Sequence, residues 1–465
     1  MRLLVLFSLI CVGYSYKFLV FNPLFAHSHT TFLGAIADTL TEAGHDVTVL
    51  APILDETLAN KTGVKLTKNI VFIPQSNGLK KLMADKDARM KNLWTTETGP
   101  MAMYELMKTA SLMAKLGCEH LFSYKTILRM LRDQKFDVAI VEPFTICGYA
   151  YAEELGIPAT IGAISVVHKE HISSFIGEPL APAFVPTITV PYSDKMTIVE
   201  RAKNLAAILI LKKAAGIIFS GEEEFLKKRQ GGKYPGAAEL VARSSFLFTN
   251  SNPYLNYPKP KIHKVVDIGG IVVDSKKEYM LEEKWDKVLN ERSHTVYISF
   301  GSMAKSVDMP QEYKDSILKV CESLPDVTFI WKFEEETSMA DHLPNLYLEP
   351  WLPQNALLSD PRLSLFITHG GLGSTTEVAY FGRPSIMIPI FSEQPRNAKM
   401  LTRHGGSLLL DKNVLGQPEK LKQAILEVMN DKKFSEAATR LSEMLKNAPI
   451  APKELVVRHA EFAAR

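Results

Sequence analysis

The chain has 465 residues, too many for one ordinary core, so two or three domains are expected. It is 46% apolar and 23% charged with no low-complexity tract or repeat, which excludes the disordered, fibrous and solenoid classes. The 54 basic and 51 acidic residues leave a charge of +3 with no dense basic patch, and the 12 histidines form no dense cluster, so neither nucleic acid nor a resident metal is expected.

The chain opens on "MRLLVLFSLICVGYS", with an early arginine, an apolar run from Leu3 to Val12, and Gly13 and Ser15 at the −3 and −1 positions of a cleavage site. This reads as a secretory signal peptide over 1–15, with a buried first strand as the alternative. Its removal leaves Cys118, Cys147 and Cys321, whose spacing suggests neither a disulfide framework nor a zinc site. The sequon Asn60-Lys61-Thr62 suits a lumenal glycoprotein. No later run approaches the apolar length of a membrane span; "LAAILIL" (205–211) stops at Lys212 and Lys213.

"KFLVFNP" (17–23) reads as a strand. A helix is expected from about Thr30, with Phe32, Leu33, Ile36, Ala37 and Leu40 on one face and Gly44 as the stop. Strands follow at 45–52, 136–143 and 158–164, with "GYAYAEELG" as a helix between the last two. This alternation predicts a parallel sheet wrapped by helices. Between 74 and 135, and again between 165 and 240, methionines and aromatics dominate short helical stretches. They serve as outer helices, as a wall for an apolar ligand, or as both.

Residues 251–270, rich in proline, asparagine and lysine, read as a linker between an N-terminal domain (16–250) and a C-terminal one (271–447). The second alternation runs through 295–301, 311–324, 327–333, 346–353, 363–370 and 384–390. The fold class is therefore α/β, with two doubly wound domains and a cleft where their strand ends face each other. A last helix, 448–465, is placed to pack back on the first domain.

Within "FITHGGLGSTTE" (366–377) a buried strand ends at His369 and a helix begins near Ser374. Glycines there admit close approach of a ligand to the backbone, and free helix N–H groups favour an anion such as a diphosphate. A purely local alternative, a capping box between Ser374 and Glu377, explains neither His369 nor the three glycines. The spacing is not G-x-G-x-x-G, which argues against a nicotinamide dinucleotide.

The stretch "WLPQNALLSDPRLSLFITHGGLGSTTEVAYFGRPSIMIPIFSEQPRNAKML" (351–401), with "SHTTFLGAIADTLTEAGHDVTVL" and "SSFLFTNSNPYLNYPKP" earlier, resembles the UDP-glycosyltransferases, most closely the animal microsomal type with nematode-like features. The resemblance spans nearly the whole chain. It implies the GT-B fold, acceptor in the first domain and UDP-sugar in the second. By position it places Trp351 against uracil, Gln354 on uracil or ribose, and Glu377 on the ribose hydroxyls. It places His369, the Gly371 and Gly373 backbone, Ser374 and Ser302 around the diphosphate, and Glu393 and Gln394 on the sugar. Two positions depart from the family pattern: Gly373 stands where many members have asparagine, and Glu393 where many have aspartate.

Transfer to a hydroxyl needs a base. "FAHSHTTF" offers His27 and His29, and the family's Ser-His motif falls on His29. The family sets an aspartate at the end of the 136–143 strand to orient that base; here the residue is Glu142. The implied reaction is an inverting displacement that moves a hexose from UDP to a small lipophilic alcohol or phenol, a detoxification chemistry, with no metal or other cofactor required. Two alternatives are an inactive nucleotide-sugar-binding homologue serving as a partner subunit and, more weakly, a GT-B epimerase. The expected location is the endoplasmic reticulum lumen, or outside the cell if unanchored. Membrane association is expected only through a C-terminal anchor beyond Arg465, and a homo-oligomer is compatible with the reading.

Overall fold

The structure is a computed structural model that describes residues 15–84, 91–95, 100–168, 170–273 and 278–465. The proposed leader therefore lies outside the described residues except at Ser15.

Two parallel sheets organise the chain. The first has the order β3-β2-β1-β4-β5-β6-β7, from β1 (Lys17–Phe21), β2 (Asp46–Pro52), β3 (Asn69–Ile73), β4 (Val138–Val141), β5 (Ala159–Ile164), β6 (Phe246–Thr249) and β7 (Val265–Asp267). The second has the order β10-β9-β8-β11-β12-β13, from β8 (His294–Ser299), β9 (Val327–Lys332), β10 (Leu346–Glu349), β11 (Leu363–Thr368), β12 (Ser385–Met387) and β13 (Ser407–Leu409). Central strands such as β4, β9 and β11 are almost continuously apolar because helices cover both faces. In the first sheet Phe18, Val20 and Val138 point to one core, while Leu19, Phe21 and Val141 point to another.

Strand order reverses direction between β1 and β4, and between β8 and β11. Phe21 pairs with Val141, and Ser299 with Thr368, so the loops leaving each central pair start at the same level. Those two switch points are where a ligand finds a crevice between diverging loops.

Three readings need correction. The 251–270 stretch is not wholly a linker: β7 lies inside it and extends the first sheet by pairing with β6. Cys118 and Cys147 form a disulfide with a Cα–Cα distance of 5.6 Å. Their sequence spacing carried no sign of it, because the pairing arises from packing of the helix Pro100–Ser123 against the start of the helix Cys147–Leu155. Finally, the segment around 205–211 belongs to a helix, Ile198–Gln230, that is long and apolar enough to cross a membrane by length and composition.

The domains meet through side chains from both. Trp94 is buried against the second domain, donating to the Lys305 carbonyl at 3.0 Å and meeting Phe300 edge-on. The last helix, Pro452–Ala464, returns to the first domain, where Val456 and Ala460 join the core beside Phe32 and Ile36 and Lys453 pairs with Glu42.

Candidate active site

The first helix begins at His27, three residues earlier than expected, directly after the loop leaving β1. His29 therefore sits in its first turn, beside the carboxyl end of β4. Its Nδ1 lies 2.8 Å from Glu142 Oε2. The other carboxylate oxygen accepts from Ser165 Oγ at 2.6 Å and Ser165 N at 3.0 Å. Ser165 Oγ also lies 2.8 Å from His29 Nδ1. Glu142 is only 3% exposed, so it is not a surface charge at a strand end. Burial pushes its carboxyl up, but the His29 ring and the two bonds from Ser165 outweigh burial and hold it below the ordinary value. A carboxylate on Nδ1 favours the tautomer with hydrogen there and leaves the Nε2 lone pair free to take a proton. Phe25 and Phe144 flank the imidazole at ring-centroid distances of 4.6 and 5.5 Å and stack on each other.

His27 occupies a different setting. Its ring edge meets Trp351 of the second domain at 5.6 Å, and its buried Nδ1 has no hydrogen-bond partner among the described residues. Burial, then Lys61 and Lys332, lower its pKa.

In the second domain, His369 leaves β11 and Ser302 leaves β8, on the two strands that flank the switch point. Space around His369 is reserved by glycine: a Cβ on Gly301 would lie 2.6 Å from the ring, and one on Gly371 would lie 2.8 Å from Nε2. Burial, then Lys332, pushes His369 down to about 4, so it is a neutral ring with one N–H to donate. The helix begins at Leu372 with Gly371 as N-cap and no side-chain cap. Ser374 therefore lies inside the first turn and forms no capping box with Glu377. Both instead face Gln354, whose amide nitrogen donates to Ser374 Oγ at 3.0 Å and to Glu377 Oε2. Gln354 is itself fixed by the Tyr297 hydroxyl at 3.0 Å. Trp351 is 61% exposed, an open ring at the cleft. Gly373 is exposed with open space where a side chain would stand, so asparagine would fit there.

Glu393 stands at the N-cap of the helix Gln394–Thr402, after Ser392, which adopts a left-handed φ of 59°. Gln394 is buried, and its amide oxygen accepts from Ile390 N and Phe391 N. That oxygen closes the loop and is not free for a sugar hydroxyl. Among the described residues Arg396 makes no ion pair with Glu393. It is buried, donating to the Pro186 carbonyl at 3.2 Å and to Asn256 Oδ1 at 2.8 Å, with its guanidinium over Tyr257.

The sequence reading overlooked Ser165, Tyr297 and Lys332. Ser165 and Lys332 sit at the carboxyl ends of β5 and β9, as His369 does at the end of β11. Lys332 Nζ donates to the Gly301 carbonyl and pairs with Glu334, both at 2.8 Å, and stands 6.0 Å from the Trp351 ring. It is buried, and its charge acts on both His27 and His369.

Burial pushes Glu377 up to about 7, against the lowering bond from Gln354. An ionised carboxylate is the better acceptor for ribose hydroxyls, so UDP should bind more tightly as pH rises from 6 to 8, by up to roughly tenfold as the carboxyl ionises. The phosphate titrates as well. The informative comparison is therefore with Glu377→Gln, which should flatten the dependence; equal slopes in calorimetry would separate Glu377 from the nucleotide.

Two facing parallel-sheet domains with polar clusters at both switch points form the GT-B fold of glycosyltransferases. A UDP-glucosyltransferase from Polygonum tinctorium capable of glucosylating indoxyl superposes with a TM-score of 0.67 at 16% identity, over 97% of this chain and 99% of that one. Phytolacca americana UGT2, solved with UDP-2-fluoro-glucose and pterostilbene, gives 0.62 at 17% identity, over 97% and 100%. The family model for UDP-glucoronosyl and UDP-glucosyl transferases matches residues 17–465, and the chain belongs to that family. Putative UDP-glucuronosyltransferase ugt-47 of Caenorhabditis elegans is 27% identical over 97% of this chain and 84% of its own length. UDP-glycosyltransferase UGT5 of Dactylopius coccus is 29% identical over 99% and 86%. The protein is a UDP-glycosyltransferase that takes a UDP-sugar as donor.

Proposed function

We propose that this enzyme transfers glucose from UDP-glucose, with inversion, to a hydroxyl of a small lipophilic acceptor. The observation that carries this reading is the His29–Glu142–Ser165 cluster, set at the first domain's switch point. His29 Nε2 takes the acceptor proton while the acceptor oxygen attacks the anomeric carbon and UDP leaves. Glu142 steadies the imidazolium that forms. Phe25 and Phe144 beside His29 favour an apolar ring on the acceptor. Trp351, Gln354 and Glu377 hold the uridine. The negative charge growing on the diphosphate meets the His369 N–H, Ser302, Ser374, the helix N-terminus at Gly371 to Gly373, and Lys332. In this scheme those groups do the work often given to a metal. An inactive role gains no support from Glu142, whose extra methylene still reaches His29.

The choice of glucose is electrostatic. A site for glucuronate should offer its carboxylate a cation, ideally an arginine fork. Arg396 is committed to Pro186 and Asn256, and Glu393 brings negative charge to the sugar end. Relatives named as glucuronosyltransferases point the other way, so the test is a competition between UDP-glucose and UDP-glucuronate at equal concentration with one phenolic acceptor. Glucose should dominate the product. A clear preference for glucuronate would overturn the choice and direct attention to Lys332. A secretory location is supported by the apolar leader and by the Cys118–Cys147 disulfide, which suits an oxidising compartment.

A further inference from the structure

Arg396 is a buried cation, 5% exposed, and among the described residues no carboxylate pairs with it. Such a charge is costly unless its donors are well placed, so its surroundings need an account. Its Nε donates to the Pro186 carbonyl, its Nη2 to Asn256 Oδ1, and its plane lies over the Tyr257 ring at 5.0 Å. All three partners belong to the first domain. Pro186 lies between the helices Glu170–Ile176 and Ile198–Gln230, and Asn256 and Tyr257 lie in the connection from β6 to β7. The partners are themselves held: Asn256 Nδ2 donates to Ser251 Oγ at 2.9 Å, the Tyr257 hydroxyl to the Tyr192 carbonyl at 3.2 Å, and Thr187 N to buried Asn204 at 2.8 Å. Arg403, at the other end of the same helix, also lies 5.0 Å from the Tyr257 ring and pairs with Asp194 at 3.6 Å.

The other residues of that first turn face the second domain. Asn397 is fully buried and donates to the Gly370 carbonyl at 3.2 Å, beside His369. A Cβ on Gly370 would lie 3.2 Å from the Gln394 carbonyl and 3.6 Å from Ala398 Cβ, so loop and helix pack without slack. Gln394 closes its own loop at Ile390 and Phe391, and Glu393 is the N-cap. One helical turn thus carries a grip on the first domain and two grips on the second. We propose that Arg396 is a positioning residue for the donor sugar: through it the first domain holds the turn that bears Glu393 and Gln394. The proposal rests on the reading above, with a UDP-sugar as donor and Glu393 at its sugar end. A guanidinium suits the task because its planar fork meets a carbonyl and an amide oxygen together while stacking on an aromatic ring, which an ammonium cannot do. Asn397 and Gln394 keep the helix on the second domain when the Arg396 grip is lost. The residues proposed for uridine stand on other elements, the helices Gln354–Ser359 and Leu372–Phe381. Movement of this turn therefore reaches the sugar and spares the nucleotide.

The test compares UDP with UDP-glucose by calorimetry on the full chain, and KM with kcat for UDP-glucose with one phenolic acceptor. Arg396→Met should weaken UDP-glucose about tenfold and raise its KM alike, while UDP affinity stays within about twofold. Arg396→Lys keeps the charge but loses the fork, and should show the same selective loss. Asn256→Ala removes one acceptor from the first-domain side. It should act in the same direction, and it serves if the methionine variant does not fold. Arg383→Met is the control. Arg383 grips the carbonyls of Leu358 and Ser359 at 2.7 and 3.1 Å within the second domain, so its loss should lower thermal stability without separating the two ligands. The parent's preference between UDP-glucose and UDP-glucuronate tests the glucose reading separately, and the variants are compared on the preferred donor. The proposal is overturned if the Arg396 variants weaken UDP and UDP-sugar equally, if they weaken neither, or if Arg383→Met shows the same selective loss.

Discussion

Replacing His29 by alanine is expected to lower transfer at least about a hundredfold while leaving UDP affinity nearly unchanged, because a general base serves the acceptor and the nucleotide residues belong to the other domain. Steady-state turnover and calorimetric UDP binding, measured on one preparation, separate the two effects. His27 is the control. Its ring sits against Trp351, and burial with two nearby lysines lowers its pKa, so it is poorly placed to accept a proton during turnover. His27→Ala should act mainly on donor affinity. Should His29→Ala retain near-normal turnover while His27→Ala does not, the base has been misassigned.

Glu142→Gln should lower turnover on the order of a hundredfold to ten-thousandfold, again with little change in UDP binding. The substitution keeps shape but removes the charge that favours the Nδ1–H tautomer and the imidazolium. It also offers an NH2 group where His29 Nδ1 or Ser165 now finds an acceptor. Glu142→Asp is the finer probe. Glu142 bridges His29 and Ser165 with its two oxygens, 2.8 and 2.6 Å from them. A side chain one methylene shorter cannot hold both at those distances without backbone movement, so activity should fall by about tenfold. A rise in activity would mark Glu142 as a poor stand-in for aspartate, and indifference to both changes would remove it from the mechanism.

Much of the candidate site was legible because it follows a single rule. Runs such as "FDVAIVEP" and "LSLFITHG" are recognisable as buried strands, and in a doubly wound sheet the residue just past such a strand faces the ligand crevice. That rule reaches His369 from sequence alone, and the family resemblance adds His29 and Glu142. What was illegible depends on packing between distant segments. Ser165 matters only because β5 lies beside β4. The Cys118–Cys147 bond needs two helices to meet. Arg396 sits two residues from Gln394, which the family resemblance sets on the sugar. Helical geometry turns it to the opposite side, where Asn256 and Tyr257 receive it. The capping-box alternative for Ser374 and Glu377 could be excluded only once the helix was seen to start at Leu372.

The role proposed for the His29–Glu142 pair is to drive an inverting sugar transfer. Its most direct test follows both products in one reaction: the enzyme is incubated with UDP-glucose and a phenolic acceptor, released UDP is quantified, and the anomeric configuration of the glycoside is read by proton NMR. Inversion by this pair should give one UDP per glycoside and only the β-anomer from the α-linked donor. UDP-glucose binding without turnover across a panel of phenols and alcohols, or formation of an α-glycoside, would contradict it.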